Sequence, residues 1–221
     1  MIRSVPSLLH AFVLLPFASG LPHISARQDD GPGLHTLTAY APENNIYNGL
    51  KVEYKSSLNV FQEKTSSICP IAPAECPNGT DTVFLGVFNP SSEVPGGQIF
   101  YVEFEGLTRI TVQHTHSFPP GAYPYNYPWT WHAFDSIPSP AACPTDDELY
   151  NCGVPTGYFT FKAPNGPESY EGGLKACPNE NDASVISVYG VTLAFNRTGC
   201  VDLEGLATHT YTGVNPPVWA Y

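Results

Sequence analysis

Apolar and polar positions along this chain alternate in short bursts rather than in helical turns. Tyr101, Glu103 and Glu105 stand on one side of an extended segment and Val102 and Phe104 on the other. That two-residue period is the mark of a half-buried strand. Runs rich in Val, Ile, Thr, Tyr and Phe predict strands at 34–41, 50–54, 58–62, 82–88, 99–103, 109–114, 158–162, 185–189, 191–195 and 207–211. The 23 prolines and 19 glycines fall between and within these runs, a spacing that no long helix survives. The expected fold is all-β: a single-domain β-barrel or β-sandwich of about ten short strands joined by turns.

The segment 115–139 departs from this rhythm. It is rich in proline and aromatic rings, and reads as a long ordered loop, packed by its own aromatics or covering one face of a sheet. Within it Tyr123, Tyr125, Tyr127, Trp129 and Trp131 occupy alternate positions. An extended backbone, favoured by Pro124 and Pro128, would send all five rings to one side. Exposed, such a row would stack on sugar rings or anchor a protein partner. Buried, it would cap the core. These five residues are the candidate ligand-binding set, with both readings open.

Catalytic chemistry is harder to find. His114 and His116 would share one face of a strand and, with His132 or His209, could chelate a metal, but no carboxylate–histidine pattern accompanies them. An N-terminal histidine of the kind that ligates copper would need cleavage directly before His23 or His35. Asp135, Asp146, Asp147, Glu148, Glu168 and Glu171 lie in or near loops, and no two of them stand out as a glycosidase pair. A G-x-S-x-G elbow is absent. No enzyme activity, metal or cofactor is therefore expected; the alternative is a secreted glycan-active hydrolase that uses these carboxylates or a metal at His114 and His116.

The start of the chain changes the setting. Arg3, an apolar run over 8–17 and the small residues Ala18-Ser19-Gly20 read as a secretory signal peptide at 1–20. Residues 21–33 read as a flexible arm or propeptide, and 34–221 as the β domain. The formal net charge of −11 argues against nucleic acid and anionic membranes as partners. Behind a signal peptide, six cysteines imply disulfides. Six allow fifteen pairings. Local closure and the flanking prolines favour Cys69–Cys76, Cys143–Cys152 and Cys177–Cys200. Asn78-Gly-Thr80 and Asn196-Arg-Thr198 are candidate N-glycosylation sequons.

Several blocks, taken in combination, carry a resemblance. They are Cys69-Pro, Glu75-Cys-Pro-Asn-Gly-Thr-Asp-Thr82, Val94-Pro-Gly-Gly-Gln98 with Tyr101-Val102, and His116-Ser-Phe-Pro-Pro-Gly121. Ala176-Cys-Pro178, Ile186-Ser-Val-Tyr189, Gly199-Cys200 and Trp219-Ala-Tyr221 complete the set. In combination the chain resembles the fungal secreted cell-wall proteins that include the PhiA-type phialide proteins, the IgE-binding proteins of moulds and the elicitors of the hypersensitive response. The resemblance implies a secreted, non-enzymatic β protein of the fungal wall with a structural, developmental or stress-protective role, and recognition by hosts as elicitor or allergen. It transfers no catalytic residues. The partners expected are wall polysaccharide or a host receptor, and the chain is expected to be a monomer.

Overall fold

The computed structural model describes residues 31–124, 128–136 and 148–221. The expected signal peptide and all but the last three residues of the 21–33 arm lie outside them. Among the described residues fourteen strands form three antiparallel sheets. The largest runs in the order β5 (Asn89–Pro90), β4 (Phe84–Leu85), β1 (Leu34–Tyr40), β14 (Gly205–Thr210), β10 (Gly157–Phe161), β9 (Trp129–Ala133) and curls into half a barrel. The second runs β13 (Val201–Leu203), β11 (Leu174–Pro178), β12 (Ile186–Gly190), β3 (Leu58–Val60), β2 (Val52–Tyr54). The third is β7 (Thr108–Ile110), β6 (Phe100–Val102), β8 (Tyr123–Pro124). The expectation of an all-β, disulfide-stapled fold is what the structure has.

All three sheets feed one core. Leu37, Phe159, Phe161 and Leu206 come from the large sheet, Val52, Leu58, Val60 and Val188 from the second, and Phe100, Val102 and Ile110 from the third. Phe88 sits at the centre. Its ring lies 4.5 Å from Trp129, 4.5 Å from Phe159, 4.7 Å from Phe100 and 5.2 Å from Phe84. Its backbone has φ 54°, a left-handed conformation uncommon for a bulky residue. The packing of the ring holds it there.

Several predicted elements need correction. The run 191–195 is a turn, not a strand. It follows Gly190, Phe195 N–H closes onto the Thr192 carbonyl, and the Thr192 hydroxyl donates to the Phe104 carbonyl at 2.7 Å. The 82–88 run is interrupted after Leu85 by Gly86, so only β4 pairs with β1. The predicted loop at 115–139 contains β8 and β9, and β9 pairs with β10 over five positions, from Gly157↔Ala133 to Phe161↔Trp129. Proline content hid an edge strand, where an unpaired side of the ladder tolerates it.

The Val94-Pro-Gly-Gly-Gln98 block is a clasp for the C-terminal segment. Gly96 and Gly97 have φ 87° and 71°, a pair of left-handed residues that a side chain would strain. The resulting turn closes through Gly97 N–H to the Val94 carbonyl at 2.9 Å. It delivers Gln98, which is 3% exposed. The Gln98 amide donates to the carbonyls of Thr111 (2.7 Å) and Tyr221 (3.0 Å), and its oxygen accepts the Tyr221 N–H at 2.9 Å. Gln98→Ala would strand three buried polar groups. The expected loss of unfolding free energy is about 3 kcal/mol, read as a lower urea midpoint with unchanged slope. A shift below about 0.5 kcal/mol, the size typical of an ordinary surface change, would show that the clasp is dispensable.

Cys69–Cys76 and Cys177–Cys200 are disulfides, as local closure predicts. Cys152 is disulfide-bonded, and Cys143 lies outside the described residues. Asn78 and Asn196 are both exposed, the accessibility that N-glycosylation requires.

Candidate functional site

The described members of the aromatic row do not form an exposed platform. Trp129 is 7% exposed and packs on Phe88, Phe100 and Phe161, so it has no face left for a sugar. Tyr123 and Trp131 are half-buried against the core. Tyr125 and Tyr127 lie outside the described residues. The alternation was read correctly for Trp129 and Trp131, but the side they share is the core side. Phe159 and Phe161, opposite them on β10, complete that inner surface.

Trp131 also borders a pocket of about 430 Å³ at the end of the large sheet, with His35, Leu34, Thr156, Thr210 and Tyr211. His35 is fully buried. Its Nδ1 donates to the Gly33 carbonyl at 2.8 Å, while Nε2 has no hydrogen-bond partner. Burial lowers its pKa from 6.5 to about 4, so the imidazole is neutral at ordinary pH.

The histidine pair does not form a chelate. His114 sits in a turn at φ 59°, not on a strand, and its ring lies edge-on to Trp219. His116 Nε2 donates to the Gly96 carbonyl at 2.9 Å. His132 is exposed and His209 buried. No group of three metal-ligating side chains occurs among the described residues. Of the loop carboxylates, Asp135, Glu148 and Glu168 are exposed, Glu171 lines a groove described below, and Asp146 and Asp147 lie outside the described residues.

The open aromatic surface is on the other face of the large sheet. Strand alternation sends His35, Leu37 and Ala39 inward and Thr36, Thr38 and Tyr40 outward. One end of that outer face is roofed. Lys51 pairs with Thr38, Leu50 with Tyr150, and Asn151 donates to the Thr36 hydroxyl at 3.2 Å. Beneath this roof His209 bonds the Thr38 hydroxyl at 2.9 Å. The other end carries Tyr40 (β1), Tyr158 (β10), His132 (β9) and Phe134. Tyr40 and Tyr158 are 5.1 Å apart, Phe134 lies 5.3 Å from Tyr40 and 5.2 Å from Tyr158, and His132 stacks on Tyr158 at 5.1 Å. Tyr40, Phe134 and Tyr158 are half-exposed and His132 is exposed.

Gly205 makes this strip level. A Cβ there would come within 2.7 Å of the Tyr158 ring and of the Phe159 carbonyl, so a side chain would lift Tyr158 off the sheet. A groove of about 370 Å³ adjoins the strip, lined by Thr130, His132, Thr160, Lys162, Glu171 and Glu204 among others. His132 Nε2 bonds the Thr160 hydroxyl at 2.9 Å. The Tyr40 hydroxyl is held more basic than usual, first by partial burial and then by the Glu204 charge. Four rings beside two carboxylates and an ammonium form a surface able to stack on an apolar ring face while hydrogen-bonding its rim.

Sequence reasoning missed this strip because its members are scattered over 40–204. The signal was present: alternation within 34–41 and 158–162 puts Tyr40 and Tyr158 opposite the Leu and Phe positions. Only pairing places them side by side.

A protein from Arthroderma benhamiae described as an uncharacterized secreted protein is 32% identical over 227 residues, covering 97% of this chain and 98% of the relative. The chain belongs to this family of secreted fungal proteins. It is therefore secreted. The family's setting agrees with a disulfide-bonded scaffold, and no helix among the described residues is long and apolar enough to cross a membrane. No family model and no solved structure matches the chain.

Proposed function

We propose that this secreted fungal protein is a non-enzymatic component of the cell wall, held there by contact with wall polysaccharide. The observation that carries this reading is the open Tyr40–Tyr158–Phe134 strip with His132. It offers the exposed rings that Trp129, packed into the core, does not. The shared blocks that resemble the PhiA-type and elicitor proteins support the same setting, and with it a protective or developmental role and recognition by a host. The exposed sequons at Asn78 and Asn196 fit a glycoprotein.

The test is a pull-down of purified secreted protein on chitin, chitosan, β-glucan and whole fungal wall, with released sugars assayed in the same tubes. Retention on the wall without sugar release is the expected result. Release of sugars would overturn the non-enzymatic reading. Failure to be retained on any of the four would overturn the wall reading. In the same preparation, enzymatic deglycosylation is expected to lower the apparent mass, and Asn78→Gln with Asn196→Gln is expected to abolish that drop.

A further inference from the structure

We propose that the strip and its groove bind an amino-sugar polymer with free ammonium groups, a deacetylated β-linked glucosamine chain, rather than a neutral glucan. This deepens the wall-binding reading and rests on it. The argument is charge complementarity on a stacking surface. Aromatic rings accept the C–H face of a pyranose whatever its substituents, so the strip supplies affinity without choosing among wall polymers. The choice falls to the groove beside it. Glu171 and Glu204 are exposed there against one ammonium, Lys162. Thr130 and Thr160 offer only neutral hydroxyls, and His132 already bonds Thr160. The local balance is thus negative, within a chain of formal net charge −11. A neutral glucan would meet the carboxylates with hydroxyls alone. A glucosamine unit brings an ammonium on the ring that stacks, and charge-assisted hydrogen bonds to carboxylate are the stronger kind.

The residues then divide by role. Tyr40 and Tyr158 are the stacking platform, with Phe134 bracing both. Glu204, close enough to Tyr40 to perturb its hydroxyl, faces an ammonium on the sugar stacked there, and Glu171 faces one further along the groove. Lys162 opposes this ligand.

Calorimetric titration with the hexamers of glucosamine, N-acetylglucosamine and β-1,3-glucose, at about pH 6 where exposed carboxylates are ionised, tests this. The glucosamine hexamer is expected to bind about tenfold tighter than either neutral hexamer, and its advantage to vanish near 1 M salt, where the Debye length is about 3 Å. Tyr158→Ala should weaken all binding about tenfold. Glu171→Gln with Glu204→Gln, both at exposed positions, should cost about tenfold for the glucosamine hexamer and less for the neutral ligands, which meet the carboxylates with hydroxyls alone. Lys162→Gln should tighten glucosamine binding about twofold. Equal or tighter binding of a neutral hexamer, or an unchanged affinity in the double carboxylate variant, would overturn the ligand class. Wall retention in the pull-down with no binding of the glucosamine hexamer would overturn this inference alone. Absence of both would overturn the wall reading with it.

Discussion

Phe88→Ala is expected to lower the unfolding free energy by about 3–5 kcal/mol. Phe88 is fully buried and its ring touches four others, Phe84, Trp129 and Phe159 from the large sheet and Phe100 from the three-stranded sheet. Truncation removes the transfer energy of the ring and leaves a cavity among aromatics too large to close on it. One term opposes the loss. At φ 54° the backbone is strained for any residue with a Cβ, so alanine recovers little and glycine would recover more. Phe88→Gly is therefore expected to be less destabilising than the helix- or strand-based cost of glycine suggests, close to Phe88→Ala. Urea unfolding followed by tryptophan fluorescence measures both. A loss below about 1 kcal/mol for Phe88→Ala would mean that the large sheet and the three-stranded sheet do not pack on each other through this ring.

The second large effect is a stability maximum near pH 6.5. Three buried groups set it. Burial raises Glu53 from 4.5 to about 8 and lowers both His35 and His209 from 6.5 to about 4. The folded protein keeps the Glu53 proton that the unfolded chain has released, so stability falls as pH rises from 4.5 to 8. The histidines act in the opposite sense. Folded, they refuse protons that the unfolded chain binds, so stability falls as pH drops from 6.5 to about 4. Below pH 6.5 two histidines outweigh one glutamate, and above it only the glutamate acts. From these groups alone the loss is about 2 kcal/mol at pH 8 and about 4 kcal/mol at pH 4. Glu53→Gln is expected to flatten the alkaline limb and leave the acid limb in place, since glutamine keeps an oxygen for the Thr82 N–H that Glu53 now accepts. Urea midpoints across this pH range check it. A wild-type midpoint that rises from pH 6.5 to pH 8 would contradict the burial of Glu53 as a neutral acid.

The fold was legible where period and pairing coincide. Residues 34–41 alternate cleanly and form β1 almost as predicted, and local spacing located both described disulfides. It was not legible where a turn overrides composition. Val191 and Leu193 look like strand residues, but Gly190 and the Thr192 hydrogen bonds turn the chain there, leaving Leu193 52% exposed. At Trp129 and Trp131 the alternation was legible and the side was not, because the sequence does not say which face of β9 meets Phe159 and Phe161. The strip was illegible for the same reason. Tyr40, His132 and Tyr158 belong to three strands, and the gap that seats Tyr158 is a glycine on a fourth. The buried histidines likewise look like candidate ligands in sequence, where neither their burial nor the bond that one nitrogen of each ring makes to Gly33 or Thr38 is visible.

The most direct test of the central claim compares retention on whole fungal wall for wild type, Tyr40→Ala with Tyr158→Ala, and Phe118→Ala, each confirmed folded by its urea midpoint. Phe118 stacks on Tyr101 of the three-stranded sheet, away from the strip's own ring contacts. The account predicts loss of retention in the double tyrosine variant and full retention in Phe118→Ala. Undiminished retention of a folded double variant would contradict it.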